Sequence, residues 1–356
     1  MAKKFVDSEV IYKESKELED EEAFSYATQL GFSIVLSMSL QSAIELGVFD
    51  ILQKAGPNAQ LSAKQIASQI SCNNPEAASM LDRVLGLFAS HDILKCSVIP
   101  LDSKLGSFQR LYSMAPVAKF FASDSDGFSL GPLMALIQDN IFLKSWSQLK
   151  DAIKEGGVPF DRVYGTHAFE YPSLDSRFND VFNNAMINQT TIVMKKIVES
   201  YKGFEGIKKL VDVGGGLGIS INLITSKYPH IKGINFDLPH VIQHSPSYPG
   251  VENVVGDMFQ SVPKGDAIFM KLLKNCYEAI PDDGKVIVVE ALLPTMPENN
   301  AAWKAISQID VMMMTQNPGG KERSDQEFME LAIGAGFSGI RYECYVHTFW
   351  IMEFFK

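Results

Sequence analysis

The sequence predicts an α/β protein, with a parallel, doubly wound sheet in its C-terminal part and a helical N-terminal third that closes with a hairpin. Three observations carry this prediction. Leu210-Val211-Asp212-Val213-Gly214-Gly215-Gly216-Leu217-Gly218 reads as a buried strand, a tight turn and the start of a helix. From Leu210 onward, strand-like and helix-like stretches alternate, which means a parallel sheet with helices on its faces. Before that point the periodicity is helical, apart from two short strand-like runs.

The 356 residues allow one large or two ordinary domains, and the sequence is divided at 1–118 and 119–356. A net charge of −10 argues against general nucleic-acid binding, which needs basic surface to neutralise phosphate. The four cysteines, Cys72, Cys96, Cys276 and Cys344, are scattered with no CxxC pair, as expected of reduced thiols in a cytoplasmic protein. The stretch from Lys3 to Glu22 is charged and acidic, unlike a signal peptide. Ala23 to Ile44 carries no charge, but Thr28, Gln29, Ser33, Ser37, Gln41 and Ser42 interrupt it, so it is no membrane span. It reads as one helix buried against other protein, such as a second subunit.

The following elements come in order. Ser62-Ala63-Lys64-Gln65 has capping-box spacing, with Ile66 and Ile70 apolar behind it. Asn74-Pro75-Glu76 starts another helix, whose face is Leu81, Val84, Leu85 and Phe88. Ile93–Ile99 and Arg110–Ser113 are strands around a polar loop, so this third is winged-helix-like. Phe178, Phe182 and Met186 follow at helical spacing, a stripe that serves as core or as a ligand wall. The later strands are placed at Leu210–Val213, Gly233–Phe236, Val251–Val255, Ala267–Lys271, Lys285–Glu290, Ile340–Tyr345 and Thr348–Phe354. No metal-ligand cluster is seen.

Ligands of such sheets bind at the carboxyl ends of the strands. There the sequence offers Gly214, then Asp237, then Asp257 with Met258 and Phe259, then Lys271, then Glu290. An acid about 20 residues beyond the glycines suits ribose hydroxyls. A second acid at Asp257 suits an exocyclic amine, and Met258 and Phe259 offer flat apolar contact. No lysine-serine pair follows the glycines and no arginine lies near them, so the ligand resembles a nucleoside with a zwitterionic tail rather than a diphosphate. S-adenosyl-L-methionine fits that description.

Four blocks then make a specific resemblance. Leu210–Gly216, Gly233-Ile234-Asn235-Phe236-Asp237-Leu238-Pro239, Gly256-Asp257-Met258-Phe259 and Asn317-Pro318-Gly319-Gly320-Lys321-Glu322-Arg323 resemble the plant small-molecule O-methyltransferases, above all the caffeic acid O-methyltransferases. The N-terminal third resembles that family's dimerisation domain. The resemblance implies a Rossmann-like methyltransferase domain, a homodimer and a phenolic small-molecule substrate. It implies cofactor contacts at Gly214, Asp237, Asp257, Met258 and Lys271. It implies substrate contacts at Ala168, Phe178, Phe182, Met186, Met312, Met313 and Asn317, and two carboxylates, Glu290 and Glu322, beside a catalytic histidine.

That histidine is absent. The family's Trp-x-x-His-Asp-Trp stretch follows the lysine, but here Phe269-Met270-Lys271 runs straight into Leu272-Leu273-Lys274-Asn275-Cys276-Tyr277. None of His91, His167, His230, His240, His244 or His347 falls at the lost position. Only 13 residues separate Lys271 from Lys285, so the crossover helix must begin almost at the strand end. Ile137 also stands where the family places an asparagine in the substrate wall.

Overall fold

The computed structural model describes residues 8–101, 108–269 and 274–356. Two compact units divide between Gly131 and Pro132.

The first unit holds helices Ser8–Gly31, Ser33–Glu45, Val48–Ala55, Ala63–Ala67 and Ala77–Ser90, then the antiparallel pair β1 (Leu94–Pro100) and β2 (Phe108–Met114). Both bonds of the Ser62–Gln65 capping box form. The Asn74 side chain accepts from the backbone of Glu76 at 3.0 Å, and the helix behind it opens at Ala77. Phe49, Ile66, Leu85, Phe88 and Tyr112 form the buried centre of this unit. The unit extends beyond residue 118, because the backbone N–H of Ser123 donates to Asp50 at 2.8 Å and Gln53 donates to the Ser123 carbonyl at 2.6 Å.

One expectation here needs correcting. Ala23–Ile44 is not a single helix: the chain bends by 48° between two helices that break at Gly31–Phe32. Gly31 is a poor helix former, and Phe32 opens the next helix with its carbonyl accepting from Val35 at 2.9 Å. No single helix among the described residues is long and apolar enough to cross a membrane.

The second unit is built on a seven-stranded sheet. Its strands are β3 (Lys209–Val213), β4 (Lys232–Asp237), β5 (Val251–Val255), β6 (Ala267–Phe269), β7 (Lys285–Glu290), β8 (Gly339–Val346) and β9 (Phe349–Phe355). The order across the sheet is β5-β4-β3-β6-β7-β9-β8. β3 to β7 pair in parallel. The chain order reverses at β3, between β4 and β6, and such a switch point is where open sheets of this kind bind ligands.

The last strand departs from the parallel expectation, because β9 runs antiparallel to both β7 and β8. The turn from β8 is too short for a crossover, and His347 takes a left-handed conformation within it (φ 56°). Glu353 of β9 is buried, with Lys285 of β7 at 2.5 Å and the Tyr201 hydroxyl bonded to the same oxygen. Val211, Ile268, Val286, Val288, Met352 and Phe354 form the core on one side of the sheet.

Between β6 and β7 lies the helix Lys274–Ala279, followed by a turn at Pro281–Gly284. The crossover is thus short, as the residue count requires. The Lys271–Leu272 junction and the end of the strand expected at Ala267–Lys271 lie outside the described residues.

Candidate active site

The glycine turn after β3 is held from beneath by β4. Gly214 donates its N–H to the Phe236 carbonyl at 2.8 Å, and Gly216 donates to Asp237 Oδ2 at 2.9 Å. Asp237 Oδ1 accepts from Leu238 at 2.7 Å, which fixes the carboxylate at the mouth of the turn. The Gly256 N–H donates to the Asp237 carbonyl at 3.0 Å, drawing the ends of β4 and β5 together. Asp257 Oδ1 then accepts from Phe259 at 2.9 Å, closing a tight turn that presents Met258. The Met258 carbonyl is anchored by the Asn275 side chain at 2.7 Å, from the helix after β6. The structure therefore brings Gly214, Asp237, Asp257 and Met258 to one rim.

Two of the glycines are required sterically. Gly214 has φ 70°, and a Cβ there would lie 3.3 Å from Met258 Cε, filling the space between the turn and that methyl. A Cβ on Gly215 would fall onto Asn235 Oδ1 and 2.9 Å from Asp212 Oδ2. We expect Gly215→Ala to destabilise the turn by about 1–3 kcal/mol, as overpacking of a close-packed site does, measured as a lowered melting temperature.

A second group of residues lines a cavity of about 890 Å³ beside β7. Glu290, Met313, Asn317 and Glu322 all contribute to it, together with His167 and Arg323. Both carboxylates line this cavity because the chain after β7 pairs with the segment after helix Ala301–Gln316. Leu292 bridges Arg323, and the Leu293 N–H donates to the Arg323 carbonyl at 2.9 Å. The Glu322 N–H donates to Asp310 at 2.7 Å. Asn317 Oδ1 and His167 Nδ1 are buried without a hydrogen-bond partner among the described residues.

The remaining expected residues sit elsewhere. Ala168 and Phe178 are fully buried in an aromatic cluster with Phe142, Phe160 and Tyr171, and Phe182 and Met186 pack against it. Ile137 joins the same apolar cluster, so the position carries packing here and no hydrogen bond. Asp139, two residues on, caps the helix Asn140–Ser145 and pairs with Arg177 at 2.5 Å. The Ala168 N–H donates to the Gln316 carbonyl at 3.2 Å, which ties this cluster to the helix that carries Met312 and Met313. Met312 is half-buried on that helix, outside the cavity lining. Lys271 lies outside the described residues.

Sequence reasoning missed Asn235 and Asp212. Asn235 is fully buried, and its Nδ2 donates to the Gly216 carbonyl at 3.1 Å, with Ser245 and Asn253 also within reach. An asparagine in the middle of an apolar strand was the available signal, since buried amides exist to satisfy a partner. Asp212 is buried, and loss of water together with Asp237 nearby pushes its carboxyl up to about 7.

Sheet order, glycine turn and successive strand-end acids define a doubly wound α/β protein, a class whose members bind ligands at the switch point. Residues 146–338 match the O-methyltransferase domain and residues 28–124 the O-methyltransferase dimerisation domain. The chain belongs to the O-methyltransferase family. It is similar to catechol O-methyltransferase 1 of Solanum lycopersicum, 57% identical over 362 aligned positions that cover 95% of this chain and 96% of the other. It is 53% identical to caffeic acid 3-O-methyltransferase of Medicago sativa, covering 95% and 96%. The tomato alignment is longer than the whole of this 356-residue chain, so that relative carries residues with no counterpart here. Human N-acetylserotonin methyltransferase, solved in complex with SAM, shares the fold at 20% identity with a TM-score of 0.72, covering 94% of this chain and 97% of that one.

Proposed function

We propose that this chain binds S-adenosyl-L-methionine at the ends of β3, β4 and β5 and accommodates a phenol beside Glu290 and Glu322, but transfers methyl groups slowly or not at all. The observation that carries the binding site is the convergence of Gly214, Asp237, Asp257 and Met258 on one rim. The residues fit the cofactor. The bare Gly214 backbone leaves room that any side chain would fill. Each Asp237 oxygen already holds one backbone N–H and has further lone-pair capacity for the ribose hydroxyls. Asp257, steadied by Phe259, accepts from an amine, and Met258 gives apolar contact to a flat ring.

When bound, the cofactor supplies a methyl group on a sulfonium. The chain's own part is to place the acceptor hydroxyl in line with it and to remove the proton. Glu290, Glu322 and Asn317 offer acceptor oxygens in the cavity wall. A phenol with an ordinary pKa of about 10 is nearly all protonated at neutral pH, so a base matters. The position where the family places its histidine is closed up between Lys271 and Leu272. The extra residues of the tomato relative support a deletion in this chain. The relatives' names support catechol-like or phenylpropanoid acceptors. The dimerisation match supports a homodimer; the second reading is a chain without turnover that persists as a cofactor-binding dimer partner.

Calorimetry with S-adenosylhomocysteine tests the site. Asp237→Ala should weaken binding by about 1.5–3 kcal/mol, the contribution of hydrogen bonds to a charged acceptor. A folded wild-type sample that binds no S-adenosylhomocysteine would overturn the assignment.

A further inference from the structure

Beneath the glycine turn two buried oxygens face the same spot. A Cβ on Gly215 would touch both Asn235 Oδ1 and Asp212 Oδ2. Neither oxygen has a hydrogen-bond partner among the described residues. Both residues are at least nine-tenths buried. Two unpaired acceptors at close quarters are costly, and a proton between them removes the cost. The other end of the Asn235 amide is committed, because Nδ2 reaches the Gly216 carbonyl at 3.1 Å and Asn253 Oδ1 at 3.0 Å. Gly216 in turn donates to Asp237, the acid assigned to the ribose.

We propose that Asp212 and Asn235 are a positioning pair, in which the protonated Asp212 carboxyl donates to Asn235 Oδ1 and so holds the amide in the orientation that clamps Gly216 beneath the cofactor. This rests on the cofactor site assigned above. With the proton gone, an ionised Asp212 repels Asn235 Oδ1. The amide then gains by turning its NH₂ towards Asp212, which leaves its oxygen facing the Gly216 carbonyl and Asn253 Oδ1, two acceptors, with the Ser245 hydroxyl as a donor it must share with Asn253. The turn loses its clamp, and Asp237 loses the backbone geometry that aims it.

The groups around Asp212 agree with a neutral acid. Burial, with a smaller contribution from Asp237 at the end of β4, pushes the Asp212 carboxyl up to about 7, against the Ile221 N–H from the helix after the turn, which favours the charged form. On the other flank Asp212 stands opposite Phe269 of β6, which carries no charge.

The experiment is S-adenosylhomocysteine binding by calorimetry from pH 6 to 8.5, for wild type, Asp212→Asn and Asp237→Ala. Asparagine at 212 donates to Asn235 Oδ1 at every pH. Wild-type affinity should fall about tenfold across this range relative to Asp212→Asn, one unit of difference between bound and free proton affinity. Parallel pH profiles for the two proteins would overturn the pair. Loss of binding in Asp237→Ala alone tests the cofactor site, not the pair. Should S-adenosylhomocysteine bind to none of them, thermal melting decides. Wild type should lose several degrees against Asp212→Asn between pH 5 and 8, and parallel melting curves would equally reject the proton.

Discussion

A chain in which a histidine-bearing segment is restored between Lys271 and Leu272 should methylate caffeic acid or a catechol at least 10²–10⁴-fold faster than the chain as it stands, the usual contribution of a general base. The same segment with alanine at the histidine position should recover much less. The comparison separates two losses. Alanine restores the wall and any ordering of the acceptor, while histidine also restores the base. Bringing the sulfonium and the phenol together lowers a barrier by about 7–11 kcal/mol when the geometry is right, so the wall matters in its own right. The unaltered chain should speed up as pH rises, because more of the phenol ionises without help. Turnover of the unaltered chain at about 1 s⁻¹ or faster, an ordinary enzymatic rate, would contradict this reading. His167, which lines the same cavity as Glu290 and Glu322, would then be the residue to replace first.

Asp212 adds a stability prediction of defined sign. Its folded-state value is raised from 3.8 to about 7. The native state therefore holds a proton that the unfolded chain has released between roughly pH 4 and 7. Stability contributed by this group is present below the lower value and lost as pH rises through the upper one. Asp212→Asn removes that loss and should melt at the higher temperature above pH 7.

The sheet was legible in the sequence because burial on both faces leaves largely apolar runs. Leu210–Val213 and Gly233–Phe236 are such runs, each with a single polar residue, Asp212 or Asn235, and each forms a strand. The strand-end acids were legible for the same reason: a carboxylate directly after an apolar run must lie where the sheet meets water. The direction of β9 was readable but not read, since only two residues separate Ile340–Tyr345 from Thr348–Phe354, too few for a parallel crossover; its insertion between β7 and β8 was not readable, because it rests on pairing with distant segments. The sharing of one cavity by Glu290 and Glu322 was legible only through the family resemblance, since it follows from the long-range Leu292–Arg323 bridge. The stripe Phe178, Phe182 and Met186 shows the limit most clearly. Helical spacing places the three on one face, and the structure packs that face into an aromatic cluster. Spacing alone does not distinguish a wall from a core. The break at Gly31–Phe32 escaped notice because an uncharged stretch without proline gives little warning of a 48° bend.

Replacing Phe32 and Ile34 together by aspartate should convert a homodimer of this chain into monomer at micromolar concentration, measured by sedimentation velocity. Phe24, Phe32 and Ile34 are 72%, 65% and 61% exposed, and Tyr26, Leu30, Val35 and Met38 are exposed beside them. A run of exposed large apolar side chains of this kind marks an interaction site. The bend places these residues on two helices that meet at Gly31–Phe32, and the matched dimerisation domain begins at residue 28, within the patch. Obligate interfaces commonly bury about 2,000 Å² or more around an apolar centre. Large side chains at such a centre contribute about 2 kcal/mol or more each. Losing two of them weakens association by roughly 10³-fold, at 1.4 kcal/mol for each factor of ten. Aspartate adds the desolvation of two carboxylates, and the stretch Glu19–Glu22 is already acidic. Both positions are exposed within the chain, so the substitutions remove no contact of its own core, and the melting temperature extrapolated to low concentration should stay near that of wild type. A wild-type chain that sediments as a single monomer, or a double variant that remains dimeric, would refute the assignment of this face.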